Sequence, residues 1–185
     1  MDLLKRLKSA QPKNVNPTRR HFLIMLSDLD KKVLGELLRN AKISDRSLAK
    51  KLKVSQSTVT RVRNELEREG YIRRYTILPD LGKLGCEIIA FTFVKMNPEI
   101  QSKIEDVKKY ANQWPNAIYA SRGEGMGMTG VIISLHRNYT DYLQKLTIFR
   151  KDWAQYLEEL QSFITAVGEG TIKEFSLEYI AECLK

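Results

Sequence analysis

Cysteine is nearly absent from this 185-residue chain: Cys86 and Cys183 are the full complement. They lie far apart and show no Cys-x-x-Cys spacing, so neither a disulfide framework nor a zinc knuckle is supported, and two buried thiols in a reducing cytosol are expected. Histidine is equally scarce, at His21 and His136. With so few candidates there is no Ser-His-Asp array and no metal-ligand cluster, and no P-loop occurs; neither a metal nor a cofactor is expected. Long apolar runs are missing too. The longest, Ile88 to Val94, is already interrupted by Thr92 and falls far short of the ~18–20 residues of a spanning helix. The first residues carry charges and prolines instead of an apolar h-region, so no secretory signal is expected. What remains is a globular composition, 43% hydrophobic and 29% charged. The length suits one ordinary domain or two small ones and is too short for a large α/β barrel.

The charge is unevenly placed. Residues 1–80 hold 19 basic and 9 acidic side chains, a net of +10, whereas residues 81–185 hold 12 basic and 13 acidic, a net of −1. A basic module followed by a neutral one suggests that only the first meets a polyanion, whether DNA, RNA or an anionic membrane surface. A solvated basic face without a partner is the plain alternative.

Residues 1–26 form a basic N-terminal extension. Leu3, Leu4 and Leu7 among Lys5, Arg6 and Lys8 suit a short amphipathic helix, Pro12 and Pro17 break regular structure, and Arg19 and Arg20 suit either an arm on DNA or a basic tail. Ser27-Asp28-Leu29-Asp30 then reads as a helix start, with Val33, Leu34, Leu37 and Leu38 at helical spacing. Ser44 caps a second, short helix from Asp45 to about Leu52, with Leu48, Ala49 and Leu52 as its apolar face. Ser55 caps a third from Gln56 to about Glu69, stopped by Gly70. Tyr71 to Leu78 alternates bulky and polar residues and reads as a strand. Three helices, the last two joined by a tight turn, then a strand: this is a winged helix-turn-helix layout over residues 27–80.

On the third helix, Val59, Val62 and Leu66 form one stripe that must face a core. The opposite side presents hydrogen-bonding side chains. Gln56, Ser57, Thr60, Arg61 and Asn64 are assigned to the major groove, where Arg can fork onto guanine and Gln or Asn onto adenine. Arg68, Arg73, Arg74, Lys50 and Lys51 are assigned to phosphates.

Residues 81–185 read as a second module. Cys86–Met96 alternates as a strand with apolar residues on both faces, Ile89, Phe91 and Phe93 lying opposite Ala90, Thr92 and Val94. A helix follows with Ile100, Ile104, Val107, Ala111 and Trp114 on one stripe. Ala117–Arg122 is a second strand, Gly123 to Gly130 a glycine-rich loop, and Val131–Leu135 a third strand. Asn138 or Thr140 caps another helix, with Tyr139, Leu143, Leu146, Phe149 and Trp153 inward. Gln161–Val167 is a fourth strand and Thr171–Leu184 a terminal helix. The βαββαβ order gives an α+β, ferredoxin-like antiparallel sheet with helices on one face. The apolar uncovered face points to a homo-oligomer joined through this sheet, unless the C-terminal segment folds back over it.

The segment Ser27–Leu81 closely resembles the DNA-binding domain of the Lrp/AsnC family of prokaryotic transcription regulators. The matching pieces are Leu26-Ser27-Asp28-Leu29-Asp30, Ile43-Ser44 with Leu48-Ala49, Val54-Ser55 with Thr58-Val59 and Arg61-Val62, and Leu66-Glu67 with Gly70 and Ile72. The resemblance implies a cytoplasmic, non-enzymatic regulator that binds double-stranded DNA as a dimer or higher assembly, with residues 81–185 as effector and oligomerisation domain. The chain departs from the family's Gly-x-x-Asp effector signature: no Asp lies between Ser121 and His136, and Glu124 is the only acid there. Two competing readings stay open. One is a tetrapyrrole decarboxylase of the same layout, for which His136 is the available catalytic group. The other is a sequence-tolerant architectural DNA-binding protein.

Overall fold

The computed structural model describes residues 26–184. The expectations for the N-terminal extension, Arg19, Arg20 and His21 among them, lie outside these residues. The chain divides into two compact units, one running to Ile77 and rejoined by the segment from Phe175, the other Leu78–Glu174.

The first unit is built on three serine caps. Helix α1 (Asp28–Arg39) starts in a capping box: the Ser27 hydroxyl accepts from the Asp30 N–H at 3.2 Å and the Asp30 carboxylate accepts from the Ser27 N–H at 2.8 Å. Ser44 caps α2 (Asp45–Leu52) by accepting from Ser47 N–H, and Ser55 caps α3 (Gln56–Arg68) by accepting from Thr58 N–H. Lys53, at φ 58°, makes the left-handed turn between α2 and α3, and the Val54 N–H donates to Ala49 O. Leu26, Val33, Leu37, Leu48, Ala49, Val59, Val62 and Leu66 close one core, with Val33, Leu48 and Val59 fully buried. That core is the convergence of the three apolar stripes read from periodicity.

Two expectations for this unit are corrected. Residues 71–80 do not form a strand. A strand is defined by a partner for its backbone groups, and none of the described strands pairs with this segment. Tyr75 instead folds back on α3, its hydroxyl donating to Glu67 at 2.8 Å and its ring lying 5.9 Å from the Arg63 guanidinium carbon. The tail also differs. Helix α6 spans only Glu178–Cys183, and it packs against α1 within the first unit, although residues 171–185 were expected in the second module. Ala181 is buried there, and Arg39 reaches Glu182 at 2.9 Å. The expectation of two buried thiols fails: Cys183 is exposed on this helix and Cys86 is only half-buried.

The second unit is a four-stranded antiparallel sheet in the order β2-β3-β1-β4. Its strands are β1 (Ile88–Met96), β2 (Ala117–Gly125), β3 (Met128–His136) and β4 (Leu157–Ala166). A 3₁₀ turn (Pro98–Lys103) leads into α4 (Ile104–Gln113), and α5 (Tyr139–Asp152) joins β3 to β4. This is the ferredoxin-like order expected from βαββαβ. On the helix-covered face, Ala90, Thr92 and Val94 are buried. The aromatic cluster of Tyr110, Trp114, Phe149 and Trp153 fastens the helices to each other. The other face carries Ile89, Phe91, Phe93, Val131, Ile133 and Phe163, with Phe91 and Phe163 in register and Phe163 65% exposed.

The glycine-rich stretch is not a loop. β2 and β3 continue through it to a two-residue turn, Met126-Gly127, with φ 52° and 74°. Positive φ at both central residues matches the right-handed twist of the flanking strands, which is why the hairpin can be this tight. The stripe expected on α5 holds at Phe149 and Trp153, both buried, and fails at its N-terminal end. Capped by Asn138, the helix turns Tyr142 and Phe149 inward and leaves Tyr139 and Leu143 exposed. The Tyr142 ring meets His136 edge-on. Among the described residues no helix is long and apolar enough to cross a membrane.

Candidate nucleic-acid interface

Helix α3 buries Val59, Val62 and Leu66 to 2% exposure or less. The opposite side is thereby held toward solvent. Gln56, Ser57, Thr60, Arg61, Asn64, Glu65 and Arg68 together line one open, shallow hollow of about 600 Å³. Six of these seven were picked out from the sequence; Glu65 was not. The available signal was its position four residues after Arg61, the spacing at which helix neighbours pair.

The hydrogen bonds within this face are specific. Arg61 Nη1 donates to both oxygens of Glu65 at 2.8 Å. Thr60 directs its hydroxyl to Asp45 Oδ2 at 2.6 Å, with its own helix carbonyl, Gln56 O, at 3.1 Å. Its single proton is thus used inside the protein, leaving the oxygen as an acceptor. Ser57 shares a 2.8 Å contact with the Ser55 cap. Gln56 and Asn64 are exposed.

The residues assigned to phosphate divide by position. Lys50, Arg68, Arg73 and Arg74 are exposed, with Arg68 3.7 Å from Glu69. Lys51 is tied to Glu36 of α1. Arg63, beside the apolar stripe of α3, ties the unit together. It donates to Ile43 O at 3.0 Å, pairs with Asp45 at 2.8 Å and holds the Tyr75 ring, so one guanidinium links α3, the α1–α2 turn, the start of α2 and the segment after α3. Loss of hydration, then the hydrogen bond to the Glu67 carboxylate, raises the Tyr75 phenol above its ordinary value near 10.

His136 ends β3 and is 3% exposed. Its Nε2 is 2.9 Å from the Ser134 hydroxyl, and Asp141 Oδ2 stands 3.6 Å from Nδ1. Burial lowers its pKa below the usual 6.5, and the Asp141 charge opposes this only in part. The second unit also holds an apolar cleft of about 850 Å³ between α4 and the sheet, lined by Val94, Ile104, Val107 and Ile132, with Gln101 and Arg122 among its polar residues. Among the described residues no group of His, Cys, Asp and Glu could hold a metal ion.

A serine-capped helix with a buried rear and a polar front, set after a short helix and a tight turn, defines a helix-turn-helix protein. Residues 26–73 match the family model described as winged helix-turn-helix DNA-binding. The chain is 34% identical over 91 residues to the transcriptional regulator AzlB of Bacillus subtilis, a match covering 47% of this chain and 58% of that protein. It is 31% identical over 105 residues to the HTH-type transcriptional regulator LrpA of Pyrococcus horikoshii, covering 56% of this chain and 73% of LrpA. The match thus spans little more than half of AzlB's length. Among solved structures, an AsnC family transcriptional regulator from Agrobacterium tumefaciens superposes with a TM-score of 0.71 at 18% identity, over 84% of this chain and 99% of that one. The transcriptional regulator NMB0573 of Neisseria meningitidis, solved as an L-Met complex, gives 0.72 at 19%, over 83% and 96%. The chain belongs to the Lrp/AsnC family of transcriptional regulators.

Proposed function

We propose that this chain is a sequence-specific DNA-binding transcription regulator that acts as a homodimer or a higher assembly of dimers. The observation that carries the reading is the exposed polar face of α3 above a fully buried stripe. Gln56, Ser57, Arg61 and Asn64 reach base edges in the major groove, and Thr60 joins them as an acceptor only. Lys50, Arg68, Arg73 and Arg74 meet phosphates; Lys51 does so after leaving Glu36. Dimerisation uses the open sheet face, where Ile89, Phe91, Phe93 and Phe163 would otherwise face water. A dimer then presents two recognition helices about one duplex turn apart.

The reading is of a binding protein and not an enzyme. His136, the histidine available for the decarboxylase alternative, is packed between Ser134, Asp141 and Tyr142, the environment of a core side chain. The cleft under α4 supports modulation by a small molecule with an apolar body. Selection of bound fragments from a random duplex pool tests the proposal. A shared motif with two related halves is expected; a pool that stays random would favour an architectural protein and overturn it.

A further inference from the structure

Glu65 sits on the solvent side of α3 among the side chains assigned to DNA, and its carboxylate is 34% exposed. A carboxylate on that face is a physical anomaly. It accepts hydrogen bonds and donates none, and both the phosphates and most groove edges are acceptors too. Guanine N7 and O6, thymine O4 and adenine N7 all repel it. The donors in the major groove are the amino groups of cytosine and adenine, and cytosine N4 is the usual partner of an acidic side chain.

We propose that Glu65 is a specificity-determining residue that demands a cytosine in each half-site and positions Arg61 for a neighbouring guanine. The inference rests on the reading of α3 as a major-groove helix. Both contacts from Arg61 to Glu65 go through Nη1. A guanidinium has five N–H donors on three nitrogens, so the pair is compatible with a second fork onto guanine O6 and N7. Residues four apart on a helix are about 6 Å apart along its axis, and base pairs stack every ~3.4 Å. The guanine read by Arg61 and the cytosine read by Glu65 therefore belong to adjacent or next-adjacent base pairs. Off DNA, the same pair neutralises the carboxylate; on a wrong sequence, Glu65 loses hydration without gaining a donor. Glu65 thus discriminates by rejection as well as by recognition.

The test is pooled duplex selection with the full chain, run on the wild type, Glu65→Gln and Arg61→Lys, with circular dichroism and thermal melting to check folding. Wild type is expected to enrich a half-site holding both a guanine and a cytosine in that spacing. Glu65→Gln is expected to bind unrelated duplexes several-fold more tightly and to lose about tenfold or more of the discrimination at the cytosine position. Arg61→Lys keeps a cation beside Glu65; it is expected to lose the guanine and keep the cytosine. If Glu65→Gln does not fold, the Arg61→Lys pattern decides. A wild type that enriches a motif identical to that of Glu65→Gln at every position overturns this inference and leaves the regulator standing. A wild type that enriches nothing overturns both.

Discussion

Gly35 lies in the middle of α1, beneath the C-terminal helix. In that position glycine costs about 0.5–1 kcal/mol relative to alanine, because it loses more backbone freedom on folding. A Cβ added at Gly35 would come 3.7 Å from Arg39 Nη1 and 3.8 Å from Ala181 O, which is ordinary van der Waals contact. Gly35→Ala is therefore expected to stabilise the protein by about 0.5–1 kcal/mol, with α6 still docked. Gly35→Leu is different. Its branch extends beyond Cβ into the ground held by Ala181, which is 2% exposed. Overpacking of this kind costs about 1–3 kcal/mol unless the neighbour leaves. The neighbour here is a tail, so the leucine should expel α6 and break the Arg39–Glu182 pair. Urea melts of both variants, in the full chain and in a chain ending at Glu174, separate the contributions. In the shortened chain Gly35→Leu should lose most of its cost, because the clash has been removed. A Gly35→Ala that destabilises, or a Gly35→Leu equally costly in both lengths, would show that α6 does not pack on α1 as described.

Ser55→Ala removes the side-chain acceptor at the Thr58 N–H and is expected to cost about 0.5–2 kcal/mol in a chemical-denaturation experiment. Phe163→Glu places a carboxylate on the open sheet face beside Phe91, at a position already 65% exposed; light scattering after gel filtration should find a folded monomer, and an unchanged dimer would refute the proposed interface. Burial lowers the His136 pKa below its ordinary value. Its folded pKa lies below the unfolded value near 6.5, so the unfolded chain takes up more protons as the pH falls through that window. Stability of the second unit should decline from about pH 6.5 downward toward the depressed pKa, and the decline should shrink in His136→Gln, measured by tryptophan fluorescence.

Local chemistry made much of this fold readable. Ser27, Ser44 and Ser55 each precede an apolar stripe, and each proves to be a cap. The alternation from Cys86 to Met96 separates the two faces of β1 correctly because a strand's side-chain period is fixed. What escaped the sequence depends on partners remote in the chain. Tyr71–Leu78 has a strand's alternation, but it pairs with none of the described strands. The glycines of residues 123–130 read as a loop, yet the turn needs only Met126 and Gly127, and β2 and β3 take in the rest with one irregularity between Arg122 and Gly125. Tyr142 is buried against His136, a contact that no helical stripe encodes. The last residues carry a helical pattern that says nothing about which unit they join. On α3 the polar front was legible, and the four-residue spacing of Arg61 and Glu65 carried a signal for their pairing, whereas Thr60's bond to Asp45 required coordinates.

Methylation interference at guanine N7 tests whether α3 lies against the bases, since that atom lies on the floor of the major groove. On a duplex recovered from selection, two patches of interference about one helical turn apart are expected, with weakening of both patches in Arg61→Ala. Binding that ignores N7 methylation, or that is abolished only by ligands of the minor groove, would contradict the placement of α3 against the bases.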